Sequence, residues 1–249
     1  MNKWLRVVWV ALLLSAGVHA ATQYPLYELR IYRARPGKLG ALEARFRDHA
    51  AALLERHGAH SLGYWVPVKN SGRELVVLLE YPNREAAERA WAAFNADPQW
   101  QKAQRRSELH GRLVDQIEST YLRRTDYSPE IVPLSNDGPR LYEMQICQSA
   151  AGRLPSLHQQ CREYTMKFLH KHGIKVFGYW VPIDGAKQAD QTQIAILVHK
   201  DLQSAKKAWE DLQRDPEWQK ARAATETDGP LVASRQSIYM EPTDFSPTQ

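Results

Sequence analysis

Gly63-Tyr64-Trp65-Val66-Pro67 returns letter for letter as Gly178-Tyr179-Trp180-Val181-Pro182, and the rest of the chain aligns around that echo. At the same offset of 115 (63 to 178), Tyr27-Glu28 matches Tyr142-Glu143, Gly37 matches Gly152 and His57-Gly58 matches His172-Gly173. An insertion between Asp184 and Gln191 then moves the offset to 118 (97 to 215). There Trp91 matches Trp209, Asp97-Pro98 matches Asp215-Pro216, and Thr125-Asp126 with Ser128-Pro129 matches Thr243-Asp244 with Ser246-Pro247. One loop insertion across so long an alignment means two complete copies of one domain.

Each copy shows one order of elements. Tyr27 to Tyr32 alternates as a strand, with Tyr27, Leu29 and Ile31 on one face and Glu28, Arg30 and Tyr32 on the other. A helix follows, opened by Pro36-Gly37, striped by Leu39, Leu42, Phe46, Leu53 and Leu54, and closed by Gly58. Gly63 to Val68 and Glu74 to Tyr81 are strands, Asn83 and Asp97 start two further helices, and Leu113 to Leu122 is a fourth strand. The order β-α-β-β-α-β is the ferredoxin-like unit. The expected fold class is therefore α+β, two tandem ferredoxin-like (βαββαβ) units packed sheet to sheet as an intramolecular pseudo-twofold α/β barrel. Residues 21–129 form the first domain, 130–139 a linker and 140–249 the second.

Residues 1–20 read as a signal peptide: Lys3 and Arg6 precede the apolar run Val7 to Leu14, and Val18-His19-Ala20 supplies small residues at a cleavage point. The run is too short to span a bilayer, which takes about 20 residues, and an uncleaved membrane anchor is the alternative reading. The signal-peptide reading predicts a periplasmic or secreted protein without a transmembrane segment after signal removal. Its loss takes the formal net charge from +5 to +3, since two cations and no acids go with it. Cations and acids are interleaved along the helices, as in Arg84-Glu85 and Glu88-Arg89, which excludes the basic stripe of a nucleic-acid binder.

The opening Tyr27-Glu28-Leu29-Arg30 with Pro36-Gly37, the Gly-Tyr-Trp strand, the Asp-Pro-x-Trp helix start and the closing Tyr121 to Pro129 segment, all present twice, resemble the NIPSNAP family. The resemblance covers nearly the whole expected mature chain. It implies the dimeric α/β-barrel superfamily and no settled chemistry. The vesicle-traffic and mitochondrial roles discussed for that family do not carry over to an exported chain.

Strand alternation predicts that Glu28, Arg30, Glu143 and Gln145 point into a cavity between the two sheets, joined by Tyr32. There a guanidinium would receive an acidic ligand and a desolvated carboxylate could move a proton, with a buried Glu28–Arg30 pair, or glutamate hydrogen bonding that fixes the two halves, as the competing role. Tyr64 and Tyr179 are candidates to stack on a flat ligand, with inter-sheet packing as the competing role. The expected ligand is a small acidic or aromatic molecule bound in that cavity, by a binding protein or an enzyme. The alternative is a non-catalytic interaction or scaffold protein of the cell envelope, and exposed helices could also support a homo-oligomer. No nucleophile elbow, phosphate loop or dinucleotide fingerprint occurs. The histidines lack a full ligand set, so neither metal nor cofactor is expected. Cys147 and Cys161 replace Tyr32 and Phe46. The phase given above puts a sheet between them and predicts two free thiols.

Overall fold

The computed structural model describes residues 25–131, 140–183, 185 and 188–248. The leader expected at 1–20 and most of the linker expected at 130–139 lie outside the described residues. The first half runs β1 (Leu26–Ala34), α1 (Leu39–Arg45), a π-helical turn (Phe46–Ala50), α2 (Ala51–Arg56), β2 (His60–Pro67), β3 (Glu74–Tyr81), α3 (Arg84–Ala96), α4 (Pro98–Ser107) and β4 (Val114–Arg124). The second repeats it as β5 (Leu141–Ser149), α5 (Leu154–Gln160), a π-helical turn (Cys161–Thr165), α6 (Met166–Lys171), β6 (Lys175–Pro182), β7 (Thr192–His199), α7 (Leu202–Arg214), α8 (Pro216–Thr225) and β8 (Val232–Pro242). Local chemistry sets the boundaries. Asn83 and Asp201 cap α3 and α7 by accepting from Ala86 N and Ser204 N, and Gly58 closes α2 at φ +88°, a backbone state that favours glycine.

The eight strands close into one antiparallel barrel in the order β1-β3-β2-β8-β5-β7-β6-β4. Closure is made across the halves by the duplicated pentapeptide: Trp65, Val66 and Pro67 pair with Pro242, Glu241 and Met240, while Trp180, Val181 and Pro182 pair with Arg124, Arg123 and Leu122. The duplicated Thr-Asp-x-Ser-Pro segments extend each seam as clasps. Thr243 N donates to the Tyr64 carbonyl and Tyr64 N to Ser246 Oγ, and the same pair of bonds joins Thr125 and Ser128 to Tyr179. Arg47 and Arg162 grip Asp244 and Asp126 across the same seams. These last pairs are exposed and contribute little. The Ser246 hydroxyl is buried, so Ser246→Ala leaves the Tyr64 amide without an acceptor and should cost about 1–3 kcal/mol in denaturant unfolding. Destabilisation no larger than that of Arg47→Ala would remove the clasp from the account.

Inside the barrel the halves share a packed core of Tyr27, Leu29, Trp65, Tyr142, Phe177 and Trp180 with surrounding aliphatics. Each half has a second core, between its sheet and its helices, containing Tyr32, Phe46 and Tyr64 in the first copy and Phe168, Leu169 and Tyr179 in the second. The space between the sheets is therefore filled. The expectation that Glu28, Arg30, Glu143 and Gln145 line a cavity there is corrected: their face of the strand meets the helices. No described helix is long and apolar enough to cross a membrane.

Candidate functional site

In the first half a cavity of about 1060 Å³ lies between β1, β4 and the helices, walled by Tyr32, Trp91, Phe94, Trp100 and Tyr121 among others. Glu28, 1 % exposed, forms its anchor. One carboxylate oxygen accepts from Arg30 Nη1 at 2.6 Å and Ser119 Oγ at 2.5 Å, and the other from Tyr81 OH at 2.9 Å and Trp91 Nε1 at 2.7 Å. With four donors its capacity is filled, so it serves as a fixed anion that orients its neighbours. The chief of these is Arg30. Its guanidinium lies 4.0 Å from the Trp91 ring centroid and gives Nε to the Tyr32 hydroxyl, leaving Nη2 with no partner among the described residues. Burial pushes the Tyr32 phenol up despite that guanidinium, so Tyr32 stays neutral. Arg45, from the last residue of α1, donates to Glu108 at 2.9 Å, while its buried Nε is unpaired. Two guanidinium groups thus retain donors in a cavity with aromatic walls.

The second half keeps the anchor and changes what it holds. Glu143 accepts from Gln145 Nε2, His199 Nε2 and Trp209 Nε1, each at 2.8 Å. Burial raises its carboxyl, but hydrogen bonds from His199, Gln145, Ser237 and Trp209 outweigh this and hold it below the ordinary range. The cavity here is about 630 Å³. Arg235, on β8 at the position of Ile117, enters it and donates through Nε to Cys147 Sγ at 3.3 Å.

Of the residues singled out in the sequence, Glu28, Arg30 and Tyr32 line the first cavity, and Gln145 and Tyr179 the second. Glu143 borders a shallow cleft beside the second cavity. Tyr64 lines neither. It is buried against Phe46 and Phe245, with its hydroxyl 2.6 Å from Ser61 Oγ. Cys147 and Cys161 are both free, yet the separating sheet is a misplacement, because both side chains border the second cavity. Sequence reasoning missed Ser119, Tyr81, Trp91, Arg45 and Arg235. The signal for Trp91 and Ser119 was their identity with Trp209 and Ser237 at matching offsets. His57 and His172 bond Asp97 and Asp215, the caps of α4 and α8, at 2.8 Å. Among the described residues no group of three or more His, Cys, Asp or Glu is arranged to hold a metal ion.

The whole chain can be compared with known proteins. The sequence profile of the NIPSNAP family matches residues 27–129 and 142–247. In structure it is similar to a candidate monooxygenase of Fusobacterium nucleatum (TM-score 0.57, 8 % identity, covering 89 % of this chain and 94 % of that one). A candidate monooxygenase of Lactobacillus acidophilus (0.54, 11 %, 88 % and 94 %) and an anthrone oxidase-like protein (0.54, 12 %, 90 % and 94 %) share the fold. At these identities the likeness is one of fold. No curated protein matches the chain. The two profile matches span most of the sequence, and the chain belongs to the NIPSNAP family, with two tandem copies of its domain.

Proposed function

We propose that this NIPSNAP-family chain is an exported protein that binds a small aromatic acid in the cavity of its first half. The observation that carries the reading is Arg30. Its guanidinium is fixed by Glu28 and Tyr32, stacked on Trp91 and left with an unpaired Nη2 in a cavity that Phe94 and Trp100 also line. A carboxylate on Nη2 gains a charge-assisted hydrogen bond, and the ring behind it packs on Trp91, Phe94 and Trp100. The amino-terminal apolar run behind Lys3 and Arg6 supports export. The fold shared with oxygenase-type proteins agrees with a small-molecule site, although the identities carry no chemistry across.

The test is titration of the full chain with 1-naphthoate, read by quenching of tryptophan fluorescence, because Trp91 and Trp100 line the cavity. Arg30→Gln installs the residue that the second half carries at this position, where Gln145 still bonds its carboxylate. The variant should therefore fold, and its affinity should fall at least tenfold, about 1.4 kcal/mol. Equal affinity in variant and wild type, or no saturable quenching in either, would dispose of the reading.

A further inference from the structure

The geometry points to a second and chemically different ligand site in the other half: the cavity on Arg235 is built for a polyhydroxylated carboxylic acid of the sugar-acid class. It goes beyond the first-cavity reading and depends on none of that cavity's residues.

Three glutamines carry the argument. Gln145 stands where the first half has Arg30, Gln160 where it has Arg45, and Gln193 where it has Leu75. All three line the second cavity and are at most 5 % exposed. Each is committed through its amide nitrogen. Gln145 Nε2 donates to the Glu143 carboxylate at 2.8 Å, which only accepts. Gln160 Nε2 donates to Thr225 Oγ1 at 2.6 Å, and that hydroxyl spends its own proton on the Arg222 carbonyl at 2.9 Å. Gln193 Nε2 donates to Tyr127 OH at 2.6 Å. Glu143 and Thr225 Oγ1 can only accept there, which fixes the amides of Gln145 and Gln160, whereas the Tyr127 hydroxyl and the Cys161 thiol beside Gln193 both donate and accept and let that amide turn. The oxygens of Gln145 and Gln160 have no partner among the described residues, and that of Gln193 has only a thiol at 3.9 Å. Two fixed acceptors and a third, adaptable amide around one cavity call for a ligand rich in neutral donors.

Arg235 supplies the opposite pole. Its Nε is held on Cys147 Sγ, and neither terminal nitrogen has a partner among the described residues, so the fork is open to a carboxylate. An ammonium-bearing ligand is disfavoured, because Glu143 lies outside this cavity and already accepts from Gln145, His199 and Trp209, and Glu226 is taken by Arg222 at 3.0 Å. The aromatic lining is reduced: Cys147, Cys161 and Leu212 stand for Tyr32, Phe46 and Phe94, while Trp209 and Trp218 remain at the positions of Trp91 and Trp100 and offer flat faces to a sugar ring as well. What remains is hydroxyl groups on a compact acid, in a smaller cavity than the first.

The experiment is isothermal titration calorimetry of the full chain with D-glucuronate, with cyclohexanecarboxylate as the acid lacking hydroxyls. Wild type should bind glucuronate at least tenfold tighter than cyclohexanecarboxylate. Arg235→Ile, which installs the first-half residue at an exposed position, should lose at least tenfold in glucuronate affinity, and Gln160→Leu should lose several-fold. Arg30→Gln should change glucuronate binding by less than twofold, which separates this site from the first. Absence of glucuronate binding, no preference over cyclohexanecarboxylate, undiminished binding by both Arg235→Ile and Gln160→Leu, or loss of binding in Arg30→Gln would each overturn the assignment.

Discussion

Trp65→Ala is expected to cost about 3–5 kcal/mol and to weaken both halves of the molecule together. Trp65 is wholly buried on β2 of the first half, yet its ring packs against Tyr142 and Phe177 of the second, with centroids 5.3 and 6.0 Å away. The cavity left by its removal therefore opens in the core that the halves share. Denaturant unfolding followed by far-ultraviolet circular dichroism and tryptophan fluorescence should show one transition, shifted equally for both probes. A variant whose second half melts at the wild-type midpoint would break the link. Gly63 supplies an internal check. A Cβ placed there would lie 2.1 Å from the Trp65 ring, because the indole folds back over the glycine at a bulge in β2. Gly63→Ala alone should cost at least about 1–3 kcal/mol by overpacking, and far less in the Trp65→Ala background, where the obstructing ring has gone. Additive costs would mean that the ring is not what excludes the methyl group. A Cβ added at Gly178 would likewise collide with the Trp180 ring, which accounts for the doubled Gly-Tyr-Trp as a packing unit.

Much of this was legible in the repeat. Two copies at nearly constant offset give the element order and the α+β class, and the capping residues give the helix starts. The pentapeptide is scaffold, because its Trp-Val-Pro forms the seams. Alternation, however, assigns residues to a face without saying what covers that face, and on β1 and β5 both faces are largely buried. The polar face of β1 meets the helices because Trp91, Tyr81 and Ser119 bring donors that satisfy Glu28 there. One sequence signal bears on the choice. Tyr32 and Phe46 are jointly replaced by Cys147 and Cys161, and a joint replacement suits side chains in contact. The two rings do touch edge to face, with centroids 5.1 Å apart. Arg235 left no such trace, since it arises at a position occupied by Ile117 in the first copy.

Glu28→Ala should be as costly as Trp65→Ala, for an electrostatic reason. Removing the carboxylate strips Arg30, Ser119, Tyr81 and Trp91 of one shared acceptor and leaves a guanidinium without its counter-ion under the helices. Breaking a buried pair from one side costs about 3–5 kcal/mol. Glu28→Gln keeps the shape and part of the accepting capacity, so its cost should be nearer the 1–3 kcal/mol of unsatisfied donors. Glu28→Ala costing no more than Glu28→Gln would show that the charge does not matter. The duplicate anchor adds a dependence on pH. The Glu143 carboxyl is held below its ordinary value of 4.5, so the folded state binds its proton less readily than the unfolded chain. Its contribution is therefore complete above that ordinary value and is lost as pH falls towards the lower folded value. Glu143→Gln should lower stability at pH 7 and flatten its fall below about pH 4.5. An acid limb as steep in the variant as in wild type would place the titrating group elsewhere, and Glu143 would then be an anchor whose charge the fold does not use.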